Sequence, residues 1–257
     1  MAEMPEIAEI TQAQRFFFEA NGYLVIENAV TPEQLGEMRR QCDRAERCWR
    51  ADASLDGVRR WDLEQVAGIM EYHPFFVDMI ENPLVFPIIR DLLSPAIRLL
   101  DHDYFMTPPG AKIHRGWHYD EFFPNVHHPT SILMIKVFYV VEDIPWNGGG
   151  TVLLPGSHRF PYKPPNSDDP EDLPGSVRMS LPAGAAYIMA GRVWHSAGNN
   201  LSDRPRKLLI YTYGHKWMRV WDGYQPSDDV LGLAQTPMRR QLFGLTNPYG
   251  PNAAYPE

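Results

Sequence analysis

After Pro95 the chain changes texture, and that change constrains the fold more than any other feature. Runs rich in β-branched and aromatic residues occupy positions 97–106, 132–141, 185–189, 193–195 and 207–213. Such side chains favour a pleated, half-buried backbone, because branched and flat groups pack well against cross-strand neighbours. Turns containing glycine or proline separate the runs: Pro108-Pro109-Gly110, Gly148-Gly149-Gly150 and Pro155-Gly156. The triple glycine reads as a turn before a strand at 151–154, since no Lys-Ser/Thr pair follows to make a phosphate loop. Many short strands punctuated in this way suit a sandwich or jelly roll.

The first 95 residues read as mainly helical. Thr11 caps a helix that runs to about Asn21 and takes in Phe16-Phe17-Phe18, and Gly22 sits where a left-handed turn would end it. Tyr23-Leu24-Val25-Ile26 reads as a short strand. Thr31-Pro32-Glu33-Gln34 combines a hydroxyl cap, proline at the first position and a glutamine three residues after the cap, so a helix opens there and reaches about Asp52. Shorter helices are expected at 73–81 and 83–93. Helices first and strands afterwards predict helices packed outside a β core.

Charge and composition exclude some functions. A formal net charge of −8 argues against a nucleic-acid-binding surface. No run of about 18 apolar residues predicts a membrane span. Residues 1–14 are acidic and lack a basic-then-apolar leader, so a cytoplasmic location is expected. Cys42 and Cys48 form no CxxC pair and read as reduced, structural thiols.

The chemistry concentrates in His118-Tyr119-Asp120. Residues two apart on an extended segment project from one face, so His118 and Asp120 point the same way. His195, far downstream at the end of a predicted strand, can complete a three-point clamp. Two imidazoles and one carboxylate suit non-haem Fe(II), because the opposite face of the ion stays open for substrate and O₂. Arg206 opens the next predicted strand, and a hairpin would bring it to His195. Its guanidinium is a planar, permanently charged fork for an organic carboxylate. Spacing alone leaves a blander alternative open, in which His118 and Asp120 pair with each other or with backbone.

Other candidates read as structural. His102, flanked by Asp101 and Asp103, faces away from both carboxylates on a strand. His114, His127 and His128 suit turns or solvent, and His158 suits a turn cap. The acidic, proline-rich stretch 166–174 is a surface connection or, more sharply, a lid. An arginine of Arg59-Arg60 is either exposed or contacts an anion, and the seven tryptophans divide between core and pocket.

These blocks together resemble the phytanoyl-CoA dioxygenase family of Fe(II)/2-oxoglutarate oxygenases. The resemblance rests on 22–26 with 31–35, Pro108-Pro109-Gly110, Trp117-His118-Tyr119-Asp120, and Asn147-Gly148 with 154–158. His195, Gly198, Asn200, Ser202, Asp203 and Arg206 complete it. It implies a single domain over 1–257 with a double-stranded β-helix core (jelly-roll, cupin-like): helical support over 1–95, core over 96–215, extension over 216–257. It implies iron on His118, Asp120 and His195, the distal carboxylate of 2-oxoglutarate on Arg206, and Phe138 beside that co-substrate. O₂ is the second co-substrate, and ascorbate should support turnover in vitro. Ala197 departs from the pattern, since the family often has a small hydroxyl residue two after the distal histidine. Related halogenases replace the carboxylate with a small residue, so Asp120 favours oxygen chemistry. The reaction implied is hydroxylation of a small organic metabolite with release of succinate and CO₂, with no nucleic-acid or membrane partner. Desaturation, cyclisation or demethylation by the same oxidant stay open, as does a non-catalytic cupin-like binding protein.

Overall fold

A computed structural model describes residues 9–52, 64–112, 116–121, 130–165 and 173–246. Helix α1 (Gln12–Asn21) begins at a reciprocal Thr11–Gln14 capping box and ends at Gly22, whose N–H donates to the Phe18 carbonyl. Strand β1 (Tyr23–Ile26) follows directly. Helix α2 (Pro32–Ala51) opens on the same device at Thr31 and Gln34 and buries Met38, Cys42, Ala45 and Trp49. Spacings of three and four make those residues one apolar stripe.

Strand β2 (Glu64–Ala67) and helices α3 (Pro74–Asp78) and α4 (Phe86–Leu92) precede the core. The core strands are β3 (Ile97–Thr107), β4 (Met134–Val140), β5 (Thr151–Leu153), β6 (Val177–Arg178), β7 (Ala186–Ala190), β8 (His195–Ala197) and β9 (Arg206–His215). Helices α5 (Asp228–Gly232) and α6 (Pro237–Leu242) close the chain. The short strands β2 and β6 and the two last helices were not foreseen; each has too few residues to show a period.

Six strands form one antiparallel sheet in the order β1-β7-β4-β9-β3-β2, and three form a second in the order β6-β5-β8. This is the jelly-roll core that the sequence predicts. Alternation along each strand divides the large sheet's side chains between two faces. Tyr139, Tyr211 and Tyr213 point outward, where the hydroxyls of Tyr211 and Tyr213 donate to the carbonyls of Phe76 and Ile80, both at 2.8 Å. These bonds satisfy the buried phenols and fasten the helical layer. Lys136, Phe138, Arg206, Leu208 and Ile210 point inward, towards the small sheet.

Gly22 pins the N-terminal helix to this core. Its φ of 79° lies in the left-handed region, and a Cβ there would meet His158 Nδ1 and Val193 Cγ2 at 2.5 Å. Gly22→Ala is expected to cost about 2 kcal/mol or more, from left-handed strain plus the clash. The check is a lower urea midpoint at unchanged slope. Cys42 is buried and Cys48 exposed, both unpaired with any other cysteine. No helix among the described residues is long and apolar enough to cross a membrane.

Candidate metal centre

His118 and His195 meet as an antiparallel pair. Each donates its N–H to the other's carbonyl, at 3.0 and 2.8 Å, and the rings lie 4.2 Å apart. His195 is held on its other side by β5, opposite Leu153. The segment carrying Asp120 is anchored by Gly191, whose carbonyl accepts from the N–H of Asp120 at 2.9 Å and whose own N–H reaches the Met134 carbonyl. A Cβ at Gly191 would lie 2.4 Å from Met134 Cγ and 3.0 Å from Glu121 Cγ, so this approach requires glycine.

Backbone carbonyls orient both imidazoles. Nδ1 of His118 lies 3.2 Å from the Gly116 carbonyl, and Nδ1 of His195 lies 3.0 Å from the Val193 carbonyl. A carbonyl only accepts, so these contacts assign the proton to Nδ1 and leave Nε2 with its lone pair. Asp120 Oδ2 lies 3.5 Å from His195 Nε2, and one ligand atom from each of the three residues falls within 4.8 Å of the others.

Electrostatics keep this donor set ready for a cation. Burial raises the Asp120 carboxyl, but the Lys136 ammonium at 3.4 Å and the neighbouring imidazoles outweigh it and bring it down to about 2. Burial lowers His195 to about 4 against the pull of Asp120, so the imidazole stays neutral around pH 7. Burial pushes Glu121 up to about 7, and burial with Asp101 does the same for Asp103. Apart from its contacts with the Lys136 ammonium at 3.4 Å and His195 Nε2 at 3.5 Å, the buried Asp120 Oδ2 meets no hydrogen-bond donor among the described residues. A buried, ionised acceptor in that state is costly unless cations complete it. Two imidazole nitrogens and this oxygen fit a first-row divalent ion, iron(II) in particular.

The three residues line a cleft between the sheets, and Phe138 and Arg206 line it with them. Arg206 is 5% exposed, and its Nη1 donates to the Gly149 carbonyl at 2.7 Å. Phe138 stacks on Tyr187, with centroids 4.5 Å apart and planes 5° off parallel. All five residues singled out in the sequence thus meet in one place. Their route there differs from the one expected. His195 lies on the small sheet and Arg206 on the large one, so they face each other across the cleft rather than sharing a hairpin. His118, expected on an extended segment, sits in a one-pair bridge.

The sequence reading missed Lys136, Asp101 and Thr151. Lys136 carries the only charge in the run 132–141, which was the signal available. Thr151 stands directly across from Ala197, lines the cleft, and its hydroxyl lies 2.7 Å from that of Tyr187. It supplies a hydroxyl beside the position where Ala197 lacks one.

His102 faces the helices, where its Nδ1 accepts from the Met70 N–H, and His158 in its turn contacts the Glu19 carbonyl. Trp117 and Trp194 are core residues, whereas Trp146 and Trp217 are exposed. Arg59, Arg60, Trp61, His114, His127, His128 and residues 166–172 lie outside the described residues.

Comparison with known proteins identifies the family. The chain is 24% identical over 231 residues to the uncharacterized protein Rv1501 of Mycobacterium tuberculosis, covering 87% of this chain and 82% of the relative. Its fold matches the non-haem α-ketoglutarate-dependent carbocyclase SnoK of nogalamycin biosynthesis, with a TM-score of 0.65, 20% identity, and coverage of 80% and 85% of the two chains. HygX from Streptomyces hygroscopicus, solved with nickel, 2-oxoglutarate and hygromycin B bound, gives a TM-score of 0.66 at 15% identity, covering 85% of this chain and 94% of that one. The family model for phytanoyl-CoA dioxygenase (PhyH) matches residues 18–208. The chain therefore belongs to the phytanoyl-CoA dioxygenase family and is a non-haem iron, 2-oxoglutarate-dependent dioxygenase.

Proposed function

We propose that this dioxygenase hydroxylates a small organic molecule, with His118, Asp120 and His195 as the iron ligands and Arg206 as the anchor of 2-oxoglutarate. The observation that carries the reading is the convergence of three ligand atoms within 4.8 Å in a cleft that also holds a buried guanidinium. When bound, iron and 2-oxoglutarate together supply O₂ activation, at the expense of the keto acid, which leaves as succinate and CO₂.

The protein's own residues position and shield. The Nδ1–carbonyl bonds fix each imidazole in the tautomer that offers Nε2 to a metal. The Arg206 fork meets the distal carboxylate through charge-assisted hydrogen bonds, about twice as strong as neutral ones. The Thr151 hydroxyl stands at the same end of the cleft, in the place of the one missing at Ala197. Phe105, Phe138, Leu208 and Ile210 form an apolar wall that keeps water from the reacting centre. That HygX is solved with hygromycin B supports a small-molecule substrate here. The reading also takes 1–257 as one working domain. Contacts of the extension with β3 support that: Gln241 Nε2 donates to the Ile97 carbonyl at 3.0 Å, and the Trp221 N–H donates to the Leu100 carbonyl.

The test is a small-molecule screen with Fe(II), ascorbate and 2-oxoglutarate, read by succinate formation and product mass. Substrate-dependent succinate with a product one oxygen heavier is expected. A product two hydrogens lighter replaces hydroxylation with desaturation or ring closure. Absence of succinate under every condition, including slow release without substrate, overturns the proposal.

A further inference from the structure

Lys136 has no task in this reading, yet it occupies the cleft beside the metal carboxylate. Its side chain is buried on the inner face of β4, with Nζ 3.4 Å from Asp120 Oδ2 and 3.8 Å from Asp101 Oδ2. Asp101 is fully buried and accepts a 2.5 Å hydrogen bond from the Thr212 hydroxyl. The strand register sets these three residues on one rung: Asp101 on β3 and Lys136 on β4 both lie opposite Thr212 on β9. The Trp221 ring centroid stands 5.2 Å from Nζ and closes a further side. The ammonium is thus braced from the sheet and directed at Asp120. Burying an ammonium costs several kcal/mol unless close partners offset it, so the lysine needs both carboxylates.

We infer that Lys136 is a positioning residue for the metal carboxylate: braced by Asp101, its ammonium holds Asp120 in place and weakens its grip on the metal ion. The inference rests on Asp120 being an iron ligand. A cation this close to the ligating carboxylate claims part of its negative charge and repels a divalent ion, and buried charges are poorly screened. The same cation offsets the negative charge that 2-oxoglutarate brings into the cleft. Counted as two carboxylates and one ammonium, Asp101, Lys136 and Asp120 carry one net negative charge. Removing the lysine charge makes it two, removing the Asp101 charge cancels it, and removing both restores one. Metal affinity should follow that order. A lysine that merely fills space predicts the opposite for its loss, because a loosened site binds metal more weakly.

The experiment is titration of the metal-free full chain with cobalt(II), followed by its d–d absorption, in wild type, Lys136→Met, Lys136→Arg, Asp101→Asn and the double variant Asp101→Asn/Lys136→Met. Cobalt binding is expected to tighten at least about tenfold in Lys136→Met and to weaken about tenfold in Asp101→Asn. Lys136→Arg and the double variant should stay within about threefold of wild type. Equal or weaker binding by folded Lys136→Met overturns the inference. If the lone buried Asp101 prevents that variant from folding, Asp101→Asn and the double variant decide, and wild-type affinity in Asp101→Asn overturns it. A wild type that binds no cobalt overturns the assignment of the triad instead.

Discussion

Asp120→Ala is expected to abolish iron retention and 2-oxoglutarate turnover together. Asp120 is the only anionic member of the triad, and its Oδ2 lies 3.5 Å from the His195 Nε2 that would share the ion. The alanine variant offers a divalent cation two imidazole nitrogens and, nearby, the ammonium of Lys136 paired only with Asp101. The net negative charge that attracts the ion is therefore lost. Partners outside a ligand set are already worth tenfold to a hundredfold, so loss of this ligand should cost more than about a hundredfold in metal affinity. Fold and metal effects separate cleanly. Lys136 keeps Asp101 as its partner, and the backbone anchor from Asp120 N–H to the Gly191 carbonyl does not involve the side chain. The variant should accordingly stay folded, with a melting temperature lowered by the loss of one of the two carboxylates around Lys136. Iron content by elemental analysis and succinate by chromatography provide the check, and wild-type iron content would remove Asp120 from the ligand set.

How much of this site was legible beforehand depended on what each residue had to do. The capping boxes at Thr11 and Thr31 were readable because a cap is satisfied within four residues of itself. The long strands were readable because runs of seven to eleven residues rich in β-branched and aromatic side chains are hard to mistake. The candidate triad was readable as residue types only when the family resemblance joined a spacing that by itself left a blander pairing open. What spacing could not convey was the route. His195 reaches His118 through a bridge of one residue pair, and Arg206 approaches from the other sheet, because the connection 198–205 crosses between the layers.

The Lys136–Asp101 pair was opaque for a different reason. Those residues are 35 positions apart and adjoin only through Thr212 on a third strand, a relation set by register alone. Thr151 was hidden likewise: in sequence it ends a glycine turn, and only pairing with β8 sets its hydroxyl across from Ala197. Local rules reveal elements and donor types, whereas partners drawn from three strands appear only once the sheets close.

Arg206→Lys should raise the KM for 2-oxoglutarate about tenfold or more, with a smaller change in kcat. Both side chains are cationic, so the loss measures shape rather than charge. A guanidinium presents parallel N–H donors that match the two oxygens of a carboxylate; an ammonium meets them as a single point. Arg206 is also held in place by its surroundings. It opens β9 opposite Thr107, is buried, and gives Nη1 to the carbonyl of Gly149, a glycine whose φ of 74° turns the loop. Lysine cannot make that contact and grip a carboxylate in the same geometry. Cobalt(II) affinity supplies the control, because Arg206 stands outside the ligand set. Raised KM with unchanged cobalt binding assigns the guanidinium to the co-substrate, and a fall in both would mean that the cleft had collapsed. An unchanged KM would sink the role proposed for Arg206 while leaving the metal triad intact, since the two tests draw on opposite walls of the cleft.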